Sequence, residues 1–302
     1  MHFRKVAVIF NPKGGSARKS GLDQLMATLL STGADVVALP TTAQPNSATD
    51  LTNSAIADGA QLVIAFGGDG TVRKVAEALV GKATPMAVYP GGTGNLFARS
   101  FYSRPTTVNF ATMIADGQPQ PIDLIRYKCT GEDGSVETGL FLVALGFGGL
   151  SDAISTTDPA WKRVFGQLAY AVKVGRASLS PRITKAAFKT AHGEKNDKIS
   201  TGFVLNVATP LMTNISRGCN ASDGLMDVVA LKATNFLQLI TTSFWLARCK
   251  PEHSKHYRRQ RVSNIHLSFD TAVCLNVDGD PGPITKDLQL TVLPGAVNML
   301  LS

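Results

Sequence analysis

The residues best suited to chemistry sit in three glycine-rich runs: Asn11-Pro12-Lys13-Gly14-Gly15-Ser16, Gly67-Gly68-Asp69-Gly70-Thr71 and Pro90-Gly91-Gly92-Thr93-Gly94-Asn95. Glycine lets backbone N–H groups approach an anion closely, and a helix starting after the loop adds the positive end of its dipole. Each run therefore reads as a phosphate cradle or, taken singly, as a tight turn. Three of them in phase along one sheet edge would hold a polyphosphate. Asp69 lies between two glycines, where a carboxylate beside phosphates is repelled unless a cation intervenes. It is a candidate for Mg²⁺ and also for capping the helix that starts near Thr71, two compatible roles. Two commoner nucleotide motifs fail on spacing. The pattern G-x-x-x-x-G-K-[ST] lacks its glycine, because Arg18 precedes Lys19-Ser20. The pattern G-x-G-x-x-G fails because Gly68-x-Gly70 is followed by Arg73, and Gly92-x-Gly94 by Phe97.

Two acidic runs are further candidates. Asp223-Gly224-Leu225-Met226-Asp227 and Asp278-Gly279-Asp280-Pro281-Gly282 each read by themselves as turns, the first entering a strand and the second closing a hairpin. Lys250–Arg261 carries Lys250, Lys255, Arg258, Arg259 and Arg261 against Glu252, with His253 and His256 among them. That segment is either a solvated basic face or a patch for an anionic membrane. Leu140–Leu150 and the stretch near Val164–Val174 offer apolar lining for an acyl cleft, though core packing explains either as well.

Loops of this kind need a rigid sheet behind them. Lys5–Phe10, Asp35–Pro40, Gln61–Phe66 and Pro85–Tyr89 read as short buried strands, and Leu22–Ser31, Ala48–Asp58, Val72–Val80 and Leu96–Phe101 as helices. The alternation predicts a mainly parallel sheet covered on both faces, with ligands beyond the carboxyl ends of its strands. After Asp123 the pattern changes to strands over Ile122–Cys129, Gly139–Leu145, Thr184–Thr190, Gly202–Ala208, Met226–Leu231, Ile265–Phe269 and Ala272–Val277. Turn-like pieces at Thr130–Gly134 and His192–Glu194 separate them, which predicts a second, largely antiparallel β domain. A helix near Ala160–Ser178 interrupts it and reads as packing.

The 302 residues suffice for one large or two ordinary domains, and 44% apolar against 17% charged residues exclude a disordered chain or a coiled coil. The formal charge of +8 favours anionic partners without choosing among them, and no nucleic-acid motif accompanies it. Cys129, Cys219, Cys249 and Cys274 show no C-x-x-C spacing, so a zinc ribbon or thioredoxin-like pair is excluded and reduced, cytosolic thiols are expected. Val6–Phe10 is too short for a signal peptide and Leu140–Leu150 too short to span a bilayer, so any membrane contact is expected to be peripheral.

The ordered set of motifs resembles the diacylglycerol kinase catalytic domain superfamily, which includes bacterial soluble lipid kinases, sphingosine kinases and ceramide kinases. The resemblance rests on Asn11-Pro12 with its glycines, Gly67–Thr71 and Gly91–Asn95. It continues through Ile122-Asp123-Leu124, Gly146-Phe147-Gly148, Asp223–Val228 and Val277-Asp278-Gly279-Asp280. One motif alone is shared with NAD kinases and phosphofructokinases; the set spans essentially the whole chain. It implies an α/β plus all-β fold. A Rossmann-like nucleotide-binding domain would occupy 1–123 and an antiparallel β-sandwich 124–287, with 288–302 returning to the first domain and ATP bound between the two.

The resemblance also assigns residues. Asn11, Gly15, Ser16, Thr42, Gly67, Gly68, Asp69, Gly70, Thr71 and Thr93 would bind ATP, with Asp69 and Asp123 in the network of a catalytic Mg²⁺. Asp223, with main-chain oxygens of Asn220 and Leu225, would hold a structural Mg²⁺. Asp280 stands where related kinases carry a glutamate proposed as general base, and its carboxylate sits about 1.5 Å further back. The implied activity is ATP- and Mg²⁺-dependent phosphorylation of a lipid hydroxyl by a cytoplasmic, peripherally membrane-associated protein. The lipid is of the diacylglycerol, ceramide or sphingoid type, and a homodimer is left open. The rivals are an NAD kinase-like enzyme with a soluble substrate and a catalytically weak lipid-binding regulator.

Overall fold

The computed structural model describes residues 3–12, 16–92, 94–102, 107–149, 182–191, 193–209 and 212–301, with the side chains of 16–19, 107–109 and 111 excepted. Gly15, Thr93 and the helix expected near Ala160–Ser178 lie outside the described residues. The chain divides into two compact units, Met1–Leu124 with Pro294–Ser302, and Ile125–Leu293.

The first unit alternates strand and helix: β1 (Lys5–Phe10), α1 (Ser16–Ser31), β2 (Asp35–Pro40), α2 (Ser47–Ala57), β3 (Leu62–Gly67), α3 (Asp69–Leu79), β4 (Met86–Pro90), α4 (Leu96–Phe101) and α5 (Thr107–Asp116). The strands form a parallel sheet in the order β2-β1-β3-β4, which bears out the α/β expectation. Leu62 to Gly67 are all buried, as a central parallel strand with both faces covered requires, and each large aliphatic there contributes about 1.5–3 kcal/mol. In α3 the buried residues Val72, Val75, Ala76 and Leu79 recur at helical spacing and give it one apolar face. The strand order reverses direction between β1 and β3, and at such a switch point the loops leaving the two carboxyl ends diverge and open a crevice. Strand β14 (Asp280–Leu300) ends in this unit, where Met299 pairs in parallel with Met86. Tyr102 fastens it by donating its hydroxyl to the Leu300 carbonyl at 3.0 Å.

The second unit is antiparallel. Its strands are the end of β5 (Pro119–Thr130), β6 (Val136–Phe141), β7 (Ala144–Gly148), β8 (Thr184–Thr190), β9 (Gly193–Ile199), β10 (Thr201–Leu205), β11 (Met226–Leu231), β12 (Tyr257–Val262), β13 (Asn264–Val277) and the start of β14. The main path runs β12-β11-β10-β7-β13-β14, with β5–β6 and β8–β9 attached as hairpins. Ile125, Phe141, Phe147, Phe188, Leu267 and Leu275 are among the side chains of its core.

Several elements differ from the sequence expectation for physical reasons. The strand expected over Gly139–Leu145 is broken after Phe141, because the Leu142 and Val143 amides turn to the Asp278 carboxylate instead of a neighbouring strand. Ile265–Phe269 and Ala272–Val277 are one strand, β13, with a register shift between Ser268 and Val273 that absorbs Asp270. Gly193–Ile199 is a strand whose exposed, charged residues conceal its period. Phe236–Ala247 is a helix, here α6, to which the sequence reading assigned no element; the short 3₁₀ turn Pro251–His253 follows it.

Candidate functional site

The loops after β1, β2, β3 and β4 all leave the same edge of the parallel sheet, since the strands are parallel and in register. Backbone hydrogen bonds tie them to the neighbouring strands. The Asn11 amide donates to the Phe66 carbonyl at 3.3 Å, the Thr41 amide to Phe10 at 2.8 Å, and the Gly91 amide to Gly67 at 2.9 Å. Thr42 closes its own loop, its amide donating to Ser47 Oγ at 2.9 Å and its hydroxyl accepting from the Gln44 amide at 3.2 Å. Asn11, Thr42, Gly67, Gly68, Asp69, Gly70 and Thr71 therefore share one edge.

Glycine is demanded at two points by close approach. A Cβ on Gly67 would lie 2.6 Å from Thr71 Oγ1, and a Cβ on Gly92 would lie 2.6 Å from the Gly68 Cα. The second contact is backbone against backbone, so the loops after β3 and β4 touch this closely because Gly92 lacks a side chain, whereas a Cβ on Gly68 would lie 3.6 Å from the Gly92 Cα, an ordinary contact. Asn95 fixes the second loop: at φ 47° it accepts from the Gly92 amide at 2.7 Å and donates to the Gly92 carbonyl at 2.8 Å. Gly92→Ala is expected to cost about 1–3 kcal/mol, because neither backbone can retreat without breaking these bonds. A thermal midpoint equal to that of the native chain would show that the loops separate freely.

Asp69 is the first residue of α3, and the Gly68 N-cap makes no side-chain capping bond. The carboxylate instead accepts from the Phe97 amide at 3.1 Å, satisfying an orphan N–H in the first turn of α4. The capping expected of Asp69 thus serves a different helix from the one expected, because α3 already begins at Asp69. A Cβ on Gly94 would lie 3.1 Å from the other carboxylate oxygen, so that oxygen borders the β4 loop. One carboxylate among glycine amides suits Mg²⁺, which is usually held by one or two carboxylates together with phosphate oxygens and water. Asp123 is 2% exposed and accepts from the Gly295 amide at 2.8 Å, which secures the returning C-terminal segment.

In the second unit the Asp223–Asp227 motif is neutralised from within. Asp223 accepts from the Leu225 amide at 3.0 Å and ion-pairs with Arg261. Asp227 is buried, pairs with Arg259 at 2.7 Å and Arg261 at 3.2 Å, and accepts from Ser216 Oγ. A divalent cation held by Asp223 with the main-chain oxygens of Asn220 and Leu225 would share that carboxylate with Arg261 and the Leu225 amide. No group of three or more His, Cys, Asp or Glu residues among the described residues is arranged to hold a metal. Burial, reinforced by the Asp227 charge, pushes the nearby Cys219 thiol up to about 12. The basic segment is likewise partly spent: Arg258 pairs with Asp197 at 2.5 Å and lies over the Phe188 ring. Arg217, Pro251, Glu252, Tyr257, Arg258 and Arg259 line a cleft of about 430 Å³.

Asp278 and Asp280 have opposite roles. Asp278 is 3% exposed and accepts three backbone N–H bonds, from Leu142 at 3.0 Å, Val143 at 2.8 Å and Ala144 at 3.1 Å. Asp278 and Gly279 have φ of 50° and 90°, the pair of positive angles a two-residue type I′ hairpin needs, and Val277 faces Asp280 across it. Asp280 emerges at the start of β14 with its residue exposed. The sequence reading placed Asp278 in a hairpin turn and gave its carboxylate no role, since the amides it holds lie 134 to 136 residues away in sequence.

Comparison with known proteins agrees with this arrangement. Residues 5–127 match the diacylglycerol kinase catalytic domain family. A diacylglycerol kinase of Bacillus subtilis is 25% identical over 92% of this chain and 90% of its own length. A protein of Pseudomonas syringae assigned as a YegS-like lipid kinase is 29% identical over 83% of this chain and 79% of its own. Among solved structures, one from Bacillus anthracis assigned as a diacylglycerol kinase superposes with a TM-score of 0.80 at 21% identity, covering 100% of this chain and 96% of that one. Yeast NADH kinase shares the fold at a TM-score of 0.58 and 11% identity, covering 98% of this chain and 82% of that one. Residues 5–127 therefore match a diacylglycerol kinase catalytic domain, and over most of its length the chain is similar to proteins named as diacylglycerol or lipid kinases.

Proposed function

We propose that the protein transfers the γ-phosphoryl group of ATP to the hydroxyl of a diacylglycerol-type lipid at a membrane surface, with Mg²⁺ as the required cation. The observation that carries this reading is the convergence of the loops after β1, β2, β3 and β4 on one sheet edge, two of them in backbone contact at Gly68 and Gly92. Fixed amides at such an edge hold phosphate oxygens without reorganising, which is where phosphoryl transfer gains most of its rate. In this assignment Asn11, the Gly67–Thr71 loop and Thr42 bind the nucleotide, with Gly15, Ser16 and Thr93 completing the set the motifs imply. Asp69 supplies the carboxylate that holds the cation to the phosphates. Mg²⁺, when bound, neutralises charge developing on the transferred group. Asp280, exposed at the head of β14, takes the proton of the attacking hydroxyl. The bond formed is lipid oxygen to γ-phosphorus and the bond broken is the β,γ-anhydride, leaving ADP.

The names of the Bacillus subtilis and Pseudomonas syringae relatives support a lipid acceptor, and that of the former supports diacylglycerol. The test is transfer of labelled γ-phosphate from ATP and Mg²⁺ to detergent-dispersed diacylglycerol, ceramide, sphingoid base and phosphatidylglycerol, with NAD alongside. Labelled phosphatidic acid as the main product supports the proposal. Label on another lipid replaces the substrate, label on NAD overturns the lipid acceptor, and binding of lipid without any product leaves the regulatory reading.

A further inference from the structure

Helix α6 is turned the wrong way for water. Thr242, a polar residue, is fully buried, with its hydroxyl 2.9 Å from Ser254 Oγ and 2.8 Å from the Gln238 carbonyl. Phe236, Leu237, Ile240 and Phe244 are 46%, 70%, 47% and 52% exposed. Phe236, Ile240 and Phe244 recur every four residues, so with Leu237 they form one apolar stripe along a helix about 18 Å long. Single exposed apolar residues are ordinary on a protein surface, but this stripe is contiguous.

Positive charge frames the stripe. The Arg248 guanidinium lies over the Phe244 ring at 5.4 Å, continuing the row by another four residues. Lys250 and Lys255 are exposed just beyond, Arg217 lines the cleft beside Pro251, and Glu252 is the acidic residue between them. The segment Phe236–Ala247 itself carries no charge. An apolar stripe bordered by cations matches a bilayer whose surface carries anionic headgroups, into which the rings insert while the cations meet phosphates. A second copy of the chain fits less well. The stripe exposes on the order of 400 Å², where a stable dimer needs about 800 Å² from each partner, and Arg248 and Lys250 would face their own copies.

We propose that α6 is the membrane-docking element of this protein, lying in the interface of an anionic bilayer on its Phe236, Leu237, Ile240 and Phe244 face. The inference deepens the lipid-kinase reading above and assigns the surface through which the protein reaches its substrate.

The test is sedimentation of the full chain, without ATP, on vesicles of phosphatidylcholine mixed with phosphatidylglycerol. Native protein is compared with the Ile240→Ser/Phe244→Ser double variant after thermal melting of both. The double variant is expected to bind at least about ten-fold more weakly, and to phosphorylate a water-soluble short-chain diacylglycerol at the native rate. Undiminished binding overturns the proposal, as does a native dimer in sedimentation equilibrium that the variant converts to monomer. Trp245, on the same helix and stacked on His253 at 4.9 Å, gives a reading that needs no surface variant. The chain has two tryptophans, and in a Trp161→Phe protein quenching of Trp245 by brominated lipid is expected, its absence again overturning docking through α6. Vesicle binding is measured without phosphoryl transfer, so the two readings fail separately. Stripe-dependent binding without lipid phosphorylation removes the kinase assignment alone, and lipid phosphorylation with stripe-independent binding removes this one alone.

Discussion

Asp280→Asn is expected to lower lipid phosphorylation by about 10²–10⁴-fold while leaving ATP affinity unchanged, the loss typical of removing a positioned base. The substitution keeps side-chain size and removes only proton affinity. Asp280 lies at the exposed start of β14, outside the carboxylate nest that holds the hairpin. Asp280→Glu supplies the residue that the family motif carries and is expected to retain or raise turnover, since it advances the carboxylate by about 1.5 Å. The matching substitution in the first unit, Asp69→Asn, keeps an oxygen able to accept from the Phe97 amide and removes the charge that would hold a cation. Its expected signature is a sharply raised Mg²⁺ requirement together with lost turnover, at native thermal stability. Initial rates at saturating ATP over a range of Mg²⁺ separate the two roles: an Asp280→Asn protein near native turnover would end the assignment of the base, and an Asp69→Asn protein with native Mg²⁺ dependence would end that of the cation carboxylate.

The largest effect on stability is expected at Asp278. Its carboxylate satisfies three buried backbone amides, and each buried donor left without a partner costs about 1–3 kcal/mol. Asp278→Ala is therefore expected to cost about 4 kcal/mol, with a further contribution because alanine is strained at φ 50°. Asp278→Asn tolerates that angle and suits a type I′ hairpin, but one oxygen becomes an NH₂ group that meets an amide donor, so it falls between the two. For a unit of this size 1 kcal/mol corresponds to about 2–4 °C, so the alanine variant should melt about 10 °C below the native chain. Differential scanning calorimetry of the three proteins gives the order directly. A midpoint for Asp278→Ala within a degree of native would mean that those amides find water and the carboxylate is dispensable.

The division between what could and could not be read in advance follows from the range of each interaction. Apolar runs ending in glycine, with helical period between them, placed β1 to β4 and the loops at their carboxyl ends, because strand, turn and helix preferences are local and the parallel register then fixes a shared edge. The same local signals produced an antiparallel second unit, but they failed where charge or hydrogen bonding overrides period. Exposed charges concealed β9, and the amides at Leu142 and Val143 left strand geometry for a carboxylate 136 and 135 residues away in sequence.

The amino-acid sequence by itself determined the glycine-rich loops, the candidate carboxylates and the resemblance to one kinase family, since each depends on residue types at short fixed spacing. Only the tertiary structure decided which of those carboxylates are already engaged. Asp278 is spent on the β7 approach, Asp223 and Asp227 on Arg259 and Arg261, and Asp123 on the C-terminal segment, all through partners distant in the chain. It also decided that α6 buries Thr242 and presents Phe236, Leu237, Ile240 and Phe244 outward. A helical period records that a helix has two faces; which of them meets the protein depends on the surface it packs against.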